Sequence, residues 1–462
     1  MSDKKQFDSL SSGRFYSLVD LFAGCGGLSL GFENSGFTPV FVNELNEDAL
    51  QTYLMNRHHS LGGQKFSENK ELISRDANEL DFIRLDRIKS VLSDMSETNF
   101  HFERALSKRN HGGSTIDVIA GGPPCQGYSG IGHRRSYSVD KEKFPSNHLY
   151  VRMAEIIRYL RPRIFLFENV KGLLFSKWTK FGNKRIWPDV LSEFRSIEGY
   201  EVRWKLVHAK DYGVPQNRPR VLMVGIRKDI IAGNSMLDIA RDPEDAVECG
   251  FLPPKRDIPA PDLIDLLDDL VDPLANEALI TGKYRQGVFA THTYPKKPST
   301  EIQKYFRKPS PNMKKGEKVR LTEQVYSKHK PEIVKKFLYM LSNDGEIPQY
   351  LRTKKFAQRV LPSHWGATGP TITVTSMPDD YVHYSQPRVL TVREWARLQY
   401  FPDGHIFSGK RTTGGIRRAG NPLVGIYERE VPKYTQIGNA VPVLLAERIG
   451  IHFRTIIDTA LA

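Results

Sequence analysis

The sequence predicts an α/β fold built on a mixed sheet, and three observations predict it. A strand breaks into a glycine turn and then a helix near the start, several later apolar strands end in polar or reactive residues, and 462 residues suffice for one large α/β domain with an insertion. Tyr16 to Phe22 is the first strand; it runs into Ala23-Gly24-Cys25-Gly26-Gly27, after which Leu28, Leu30 and Phe32 take helical spacing. Strand, glycine turn and helix start form the cofactor loop of a nucleotide-binding unit. A second strand, Pro39 to Asn43, ends at Glu44, about where such folds place an acid against ribose hydroxyls. Ser29 occupies the place of the third glycine of the dinucleotide fingerprint, which favours another adenosine-containing ligand over NAD. Asp76, in Ser74-Arg75-Asp76-Ala77, closes a more polar strand and reads as a third acidic contact or a surface turn.

Next comes Asp117-Val118-Ile119-Ala120, an apolar strand leading to Gly122-Pro123-Pro124-Cys125-Gln126. Two prolines fix φ and remove backbone donors, while Gly121, Gly122 and Gly127 allow a sharp turn, so the Cys125 thiol is displayed at the open end of a strand. The strand Arg163 to Phe167 runs into Glu168-Asn169-Val170. A carboxylate at the mouth of an apolar strand is costly to desolvate and often has a task there, such as holding a proton near neutral pH. Gln216-Asn217-Arg218-Pro219-Arg220 precedes the strand Val221 to Val224. Arginines at i and i+2 of extended chain point the same way, which would let both converge on one anionic or carbonyl target.

Composition narrows the partners. A net charge of +14 and a pI near 9.4 suit a polyanion, because cationic surfaces gain affinity by releasing counterions from nucleic acid. Cys25, Cys125 and Cys249 are the only cysteines, with no Cys-x-x-Cys pair, so neither a disulfide framework nor a cysteine zinc site is expected; no metal is called for, and a reducing cytoplasm is the expected setting. The N-terminus lacks the apolar stretch of a signal peptide, and no apolar run approaches membrane-spanning length.

Taken in order, the segments resemble the cytosine-C5 DNA methyltransferase family. They are Asp20-Leu21-Phe22-Ala23-Gly24-Cys25-Gly26-Gly27, Pro123-Pro124-Cys125-Gln126, Glu168-Asn169-Val170, Gln216-Asn217-Arg218-Pro219-Arg220, the run Arg388 to Pro402, and Gln436-Ile437-Gly438-Asn439-Ala440-Val441-Pro442. The resemblance implies a Rossmann-like, S-adenosylmethionine-dependent methyltransferase sheet with a smaller inserted DNA-recognition domain. It implies Cys125 as nucleophile, Glu168 as partner of the base's ring nitrogen, and Arg218 and Arg220 as activators of the thiol or grips on cytosine and phosphate, the two jobs undivided. For the cofactor it implies Phe22 on adenine, Ala23, Gly24 and Gly27 around the amino-acid end, Glu44 on the ribose, Leu45 and Ala77 beside adenine, Asp76 on its amino group, and Leu149, Asn439 and Val441 completing the wall. Because Asn439 comes from the far end, the last helix, Val443 to Thr455, must fold back on the N-terminal sheet.

The resulting division is residues 1–228 for catalysis and cofactor, 229–429 for target recognition, and 430–462 returning to the catalytic domain. Glycines and cations in Gly127 to Arg135 read as a loop closing over DNA beside the thiol. Asp262 to Leu270 reads as an acidic amphipathic helix, solvated on one side. The pairs Lys296-Lys297, Arg307-Lys308, Lys314-Lys315 and Lys354-Lys355, interleaved with Tyr294, Tyr305, Phe306 and Phe356, suit phosphate contacts and groove insertion. Arg397 to Pro402 reads as a packed helix and turn, and the Gly- and Arg-rich stretch Gly409 to Tyr434 as a DNA contact or a linker. The expected partners are double-stranded DNA, from which the target base is extruded, and a cognate restriction endonuclease; a monomer acting in the cytoplasm is expected. The alternatives are a transfer-RNA cytosine methyltransferase and a catalytically silent DNA-binding relative.

Overall fold

The computed structural model describes residues 16–61, 63–98 (backbone alone for 91–98), 116–124, 142, 144–179, 181–256, 260–283, 289–309, 319–352, 358–364, 380–412 and 429–462. Seven strands form the central sheet: β1 (Tyr16–Leu21), β2 (Phe37–Asn43), β3 (Ile73–Ser74), β4 (Val118–Gly121), β5 (Ile164–Val170), β6 (Tyr200–His208) and β7 (Pro219–Arg227), in the spatial order β3-β2-β1-β4-β5-β7-β6. The first five are parallel, and β7 enters antiparallel between β5 and β6. The link from β6 to β7 is too short for a helical crossover, so β7 must reverse direction and pair with the strand it follows.

Burial explains why these runs are apolar on both sides. Alternate residues feed two cores: Leu18, Ala120, Leu166 and Leu222 point into one, and Val19, Ile119, Phe165 and Met223 into the other. A strand covered on both faces has no solvent side to mark with polar residues. Helices α1 (Gly27–Asn34) and α2 (Val443–Leu461) lie on the first face, where Phe32 meets Phe453 at 5.9 Å between ring centroids. Glycines permit that contact: a Cβ on Gly31 would stand 2.4 Å from the Ala446 Cβ and the Val443 carbonyl, and one on Gly450 would stand 2.1 Å from the Ser35 hydroxyl. The last helix therefore does fold back on the N-terminal unit, running to Leu461 rather than Thr455.

Ile230, Ala246, Cys249, Phe251 and Leu252 pack in the same core as Leu18 and Leu166 of the sheet, as do Leu263, Phe306 and Trp395 from the expected recognition region. One sequence reading is corrected. The helix beginning at Leu263 ends at Leu267 and tightens into a 3₁₀ turn, Asp268–Leu270, and Asp269 is buried rather than solvated, ion-paired with Arg397 and Arg307.

Candidate active site

The catalytic candidates gather at the C-terminal edge of β4 and β5, the end of an open α/β sheet where ligands bind. β5 extends through Val170, so Glu168 and Asn169 are strand residues, placed by the ladder to β7: Glu168 faces Leu222 and Val170 faces Arg220. Glu168 and Arg220 thus share a sheet face one step apart, and Arg220 Nε lies 2.5 Å from Glu168 Oε1. This is a charge contact whose atoms are not aligned as a hydrogen bond. Asn169 Nδ2 donates to the Pro123 carbonyl at 3.1 Å, clipping the proline turn to β5. Gly122 has no room for a side chain, since a Cβ there would be 2.7 Å from Glu168 Oε2. Cys125 and the loop Gly127 to Arg135 lie outside the described residues.

Arg218 is fully buried, and its Nη2 donates to the Gly438 carbonyl at 2.6 Å, next to Asn439; burial, reinforced by the Arg220 charge and opposed by the Glu168 charge, pushes its pKa well down. Arg220 makes the ion-pair contact with Glu168. Gln216, in the same motif, is spent on packing, donating to the Leu398 carbonyl and the Gln399 side chain.

A second group forms around the glycine turn. Phe22, Gly24 and Gly26 all have positive φ, of 56°, 57° and 83°. Gly24 donates its N–H to Glu44 Oε2 at 2.8 Å, and Asn46 donates its N–H to Glu44 Oε1 at 2.8 Å. Those bonds fix the carboxylate, whose pKa burial raises. A Cβ on Gly24 would meet nothing within 4 Å, so this turn faces open space. Leu45 beside it is 63% exposed, Asn439 is exposed, and Phe22, Ala23, Asp76 and Leu149 are half-buried. Asp76 accepts from the Asn78 N–H at 2.9 Å while Ala77 is buried behind it. The Val441 carbonyl comes within 2.6 Å of where a Gly27 Cβ would stand, so the C-terminal segment closes on this turn. A turn open at Gly24, an oriented carboxylate and an exposed leucine beside it together fit the adenosine-containing ligand that the sequence predicts.

Beneath the turn lies a polar cluster that the motifs do not reveal. Arg57 is buried: its Nε donates to Glu33 Oε1 at 2.7 Å, Nη1 to the Tyr53 carbonyl at 2.9 Å, and Nη2 to Ser29 Oγ at 2.8 Å and the Gly26 carbonyl at 3.3 Å. Asp20 is buried beside it; burial raises its carboxyl to about 7, offset in part by the Ser29 hydroxyl and the Arg57 charge. Neither Asp20 oxygen has an aligned donor among the described residues. Ser29, which spoils the dinucleotide pattern, is thus a relay between Arg57 and the turn. No sequence pattern marks Arg57, which follows the helix Glu47–Met55 by two residues.

Some of the basic and aromatic residues expected on DNA serve the protein interior: Arg307 pairs with buried Asp269 and stacks 3.6 Å from the Tyr294 ring centroid, and Phe306 is fully buried. Lys296 pairs with Asp268 at 2.8 Å on the exposed surface. Lys314-Lys315, Lys354-Lys355 and Phe356 lie outside the described residues, as do residues 413–428 of the Gly- and Arg-rich stretch. Arg397 is fully buried between Asp269 and Asp403, at 2.5 and 2.6 Å, as the packed-helix reading predicts.

A mixed seven-stranded sheet with a proline turn and an ion-paired glutamate at its C-terminal edge, beside an open glycine turn, defines a Rossmann-like α/β protein with its candidate site at the strand ends. Residues 16–84 and 94–453 match the C-5 cytosine-specific DNA methylase family, and the chain belongs to it: it is a DNA cytosine-5 methyltransferase. It is 30% identical over 457 residues to the type II methyltransferase M.DdeI of Desulfomicrobium norvegicum, covering 95% of this chain and 90% of that one. Over 437 residues it is 26% identical to the type II methyltransferase M1.HphI of Haemophilus parahaemolyticus, covering 94% and 85%. A crystal structure of a putative DNA modification methyltransferase encoded within a prophage, from E. coli, shares the fold, with a TM-score of 0.60 and 21% identity over 96% of this chain and 99% of that one. No described helix is long and apolar enough to cross a membrane.

Proposed function

We propose that the chain methylates carbon 5 of a cytosine extruded from a specific duplex DNA sequence, with S-adenosylmethionine as donor. The observation that carries this reading is the Glu168–Arg220 pair, set at the sheet edge opposite Gly122, three residues before Cys125. Carbon 5 of cytosine is a poor nucleophile until the ring gains electron density. The Cys125 thiolate bonds to carbon 6, and Glu168 holds the ring nitrogen N3 as charge builds there. Arg220 steadies Glu168 and presents its remaining N–H groups to the cytosine carbonyl or the adjoining phosphate. S-adenosylmethionine, held beside the ring, would give its methyl group to carbon 5 as the sulfonium–methyl bond breaks and leave as the thioether S-adenosylhomocysteine; loss of the carbon-5 proton to water would then restore the double bond and expel the thiolate. Arg218 acts at one remove, holding Gly438 so that Asn439 and Val441 reach the cofactor.

S-adenosylmethionine supplies an electrophilic methyl group on a sulfonium centre. Phe22 and Leu45 would flank its adenine with Asp76, Ala77 and Leu149, Glu44 would take the ribose hydroxyls, and Ala23, Gly24 and Gly27 would cradle the amino-acid end. Residues 229–429 are the proposed recognition region. The type II relatives support a role in restriction–modification, shielding DNA from an endonuclease of the same specificity, and cysteine usage supports a reducing cytoplasm as the setting; a DNA substrate would place the chain on the nucleoid, and family resemblance supports a monomer.

The test is Cys125→Ser. Turnover is expected to vanish while S-adenosylmethionine binding by calorimetry stays within about twofold, and the wild-type chain is expected to be trapped covalently on duplex DNA carrying 5-fluorocytosine. Substantial methylation by the variant would refute the nucleophile. Bisulfite sequencing of plasmid from expressing cells reads the recognised sequence.

A further inference from the structure

Directly after the Glu168-Asn169-Val170 strand end, the chain makes a turn, Lys171–Leu174, and then a hairpin whose arms pair at Lys177 and Arg185. Trp178 N–H donates to the Lys184 carbonyl at 3.1 Å, and Ile186 N–H to the Ser176 carbonyl at 3.0 Å. The hairpin is pinned from below: the buried Trp178 indole donates to Asp189 at 2.7 Å and stacks on His148 at 5.2 Å, nearly parallel. Its outer surface is different in kind. Phe175 is 63% and Phe181 91% exposed, and Lys171, Lys177, Lys184 and Arg185 are exposed with them. From Lys171 to Arg185 there is no acidic residue. A face kept only for solubility mixes both signs of charge and hides its aromatics.

We propose that this hairpin is a second DNA contact, in which Lys177 and Arg185 hold phosphates of the duplex next to the extruded cytosine and Phe175 packs against the opened strand. The proposal rests on the DNA-methylation reading and deepens it. Lys184 is ion-paired with Asp189 at 2.8 Å, so Lys171, Lys177 and Arg185 are the exposed cations that complement phosphates, and a hairpin already held by Trp178 loses little further freedom when it docks. An exposed phenylalanine beside a base that has left its stack has apolar surface to cover, as wedge residues do elsewhere. Only the turn Lys171–Leu174 separates the hairpin from β5, the strand that carries Glu168, so the contact belongs to the catalytic side of the chain rather than to the recognition region.

The experiment measures binding of the full chain to a labelled random-sequence duplex across a potassium chloride series. Each phosphate contact contributes about 0.9 to the slope of log K against log salt. Lys177→Gln with Arg185→Gln should lower that slope by roughly 2, weaken binding equally for all duplex sequences, and raise the KM for DNA rather than lower kcat. Lys171→Gln, outside the paired arms, should lower the slope by about 1, and Phe175→Ser should weaken binding without changing it. An unchanged slope in both charge variants overturns the proposal, as does equal loss of binding to single-stranded RNA or an acidic peptide, which would mark a general polyanion patch. Failure of the wild-type chain to methylate any duplex would instead sink the parent reading.

Discussion

At the residue scale, Glu168 and Arg57 show two ways a charge can be held in a protein interior. Glu168 was legible in sequence because its neighbours Asn169 and Val170 complete a motif at a strand end, and the structure explains the spacing: Asn169 clips the Pro123 turn while Gly122 leaves room for the carboxylate. Arg57 was not legible, because its partners Glu33, Ser29 and Gly26 lie 24 to 31 residues away and belong to no pattern of their own. Its charge neutralises the half-buried Glu33, and its Nη2 holds the Gly26 carbonyl and the Ser29 hydroxyl that shape the glycine turn, while Nη1 bonds the Tyr53 carbonyl. Removing one member of a buried ion pair strands the other, at a cost of about 3–5 kcal/mol. Arg57→Met should therefore lower the unfolding free energy in urea by that order, and Glu33→Gln in the same chain should return part of it by removing the stranded charge. A single Arg57→Met variant as stable as wild type would show that the cluster is solvated.

At the scale of elements, the helix Val392–Leu398 is held by charge in a way its sequence only half disclosed. Thr391 and Glu394 form a capping box, a local pattern readable from spacing. The rest of the bracing comes from afar: Arg397 reaches Asp269, 128 residues upstream, so an aspartate in an amphipathic pattern looked solvated when it is a buried counter-ion. Glu394 is itself fully buried against Arg388, at 2.6 and 2.8 Å. Burial opposes its charge, but Arg388 wins and brings the carboxyl down to about 2 from 4.5. A carboxyl depressed in the folded chain contributes its full stability above pH 4.5 and loses it as pH falls toward 2. Glu394→Gln should consequently be less stable than wild type at pH 6, with the gap narrowing between pH 4.5 and pH 2 in urea titrations. A gap independent of pH would mean that packing, not the charge, fixes this helix.

On the scale of the whole molecule, the two ends of the chain meet at one glycine turn, and the sequence announced this only through the family order of its motifs. No periodicity within Val443–Leu461 says which surface it covers; what decides is the pair of glycines, Gly31 and Gly450, that let two helix backbones touch. That contact carries the C-terminal segment to the cofactor turn, where Val441 closes over Gly27 and Arg218 bonds the Gly438 carbonyl. A methyl group at residue 31 would lie 2.4 Å from both the Val443 carbonyl and the Ala446 Cβ, and neither is the end of a flexible side chain that could swing aside. Gly31→Ala must push the last helix outward, even though alanine suits a helix better than glycine by up to about 1 kcal/mol. Overpacking of this kind costs about 1–3 kcal/mol, so the net change is a modest loss of stability. The larger effect should fall on the ligand: with Asn439 and Val441 displaced, affinity for S-adenosylhomocysteine by calorimetry should drop about tenfold or more, the equivalent of about 1.4 kcal/mol. If Gly31→Ala binds that ligand as tightly as wild type, the returning segment is not part of the cofactor wall, and the far end of the chain serves the fold alone.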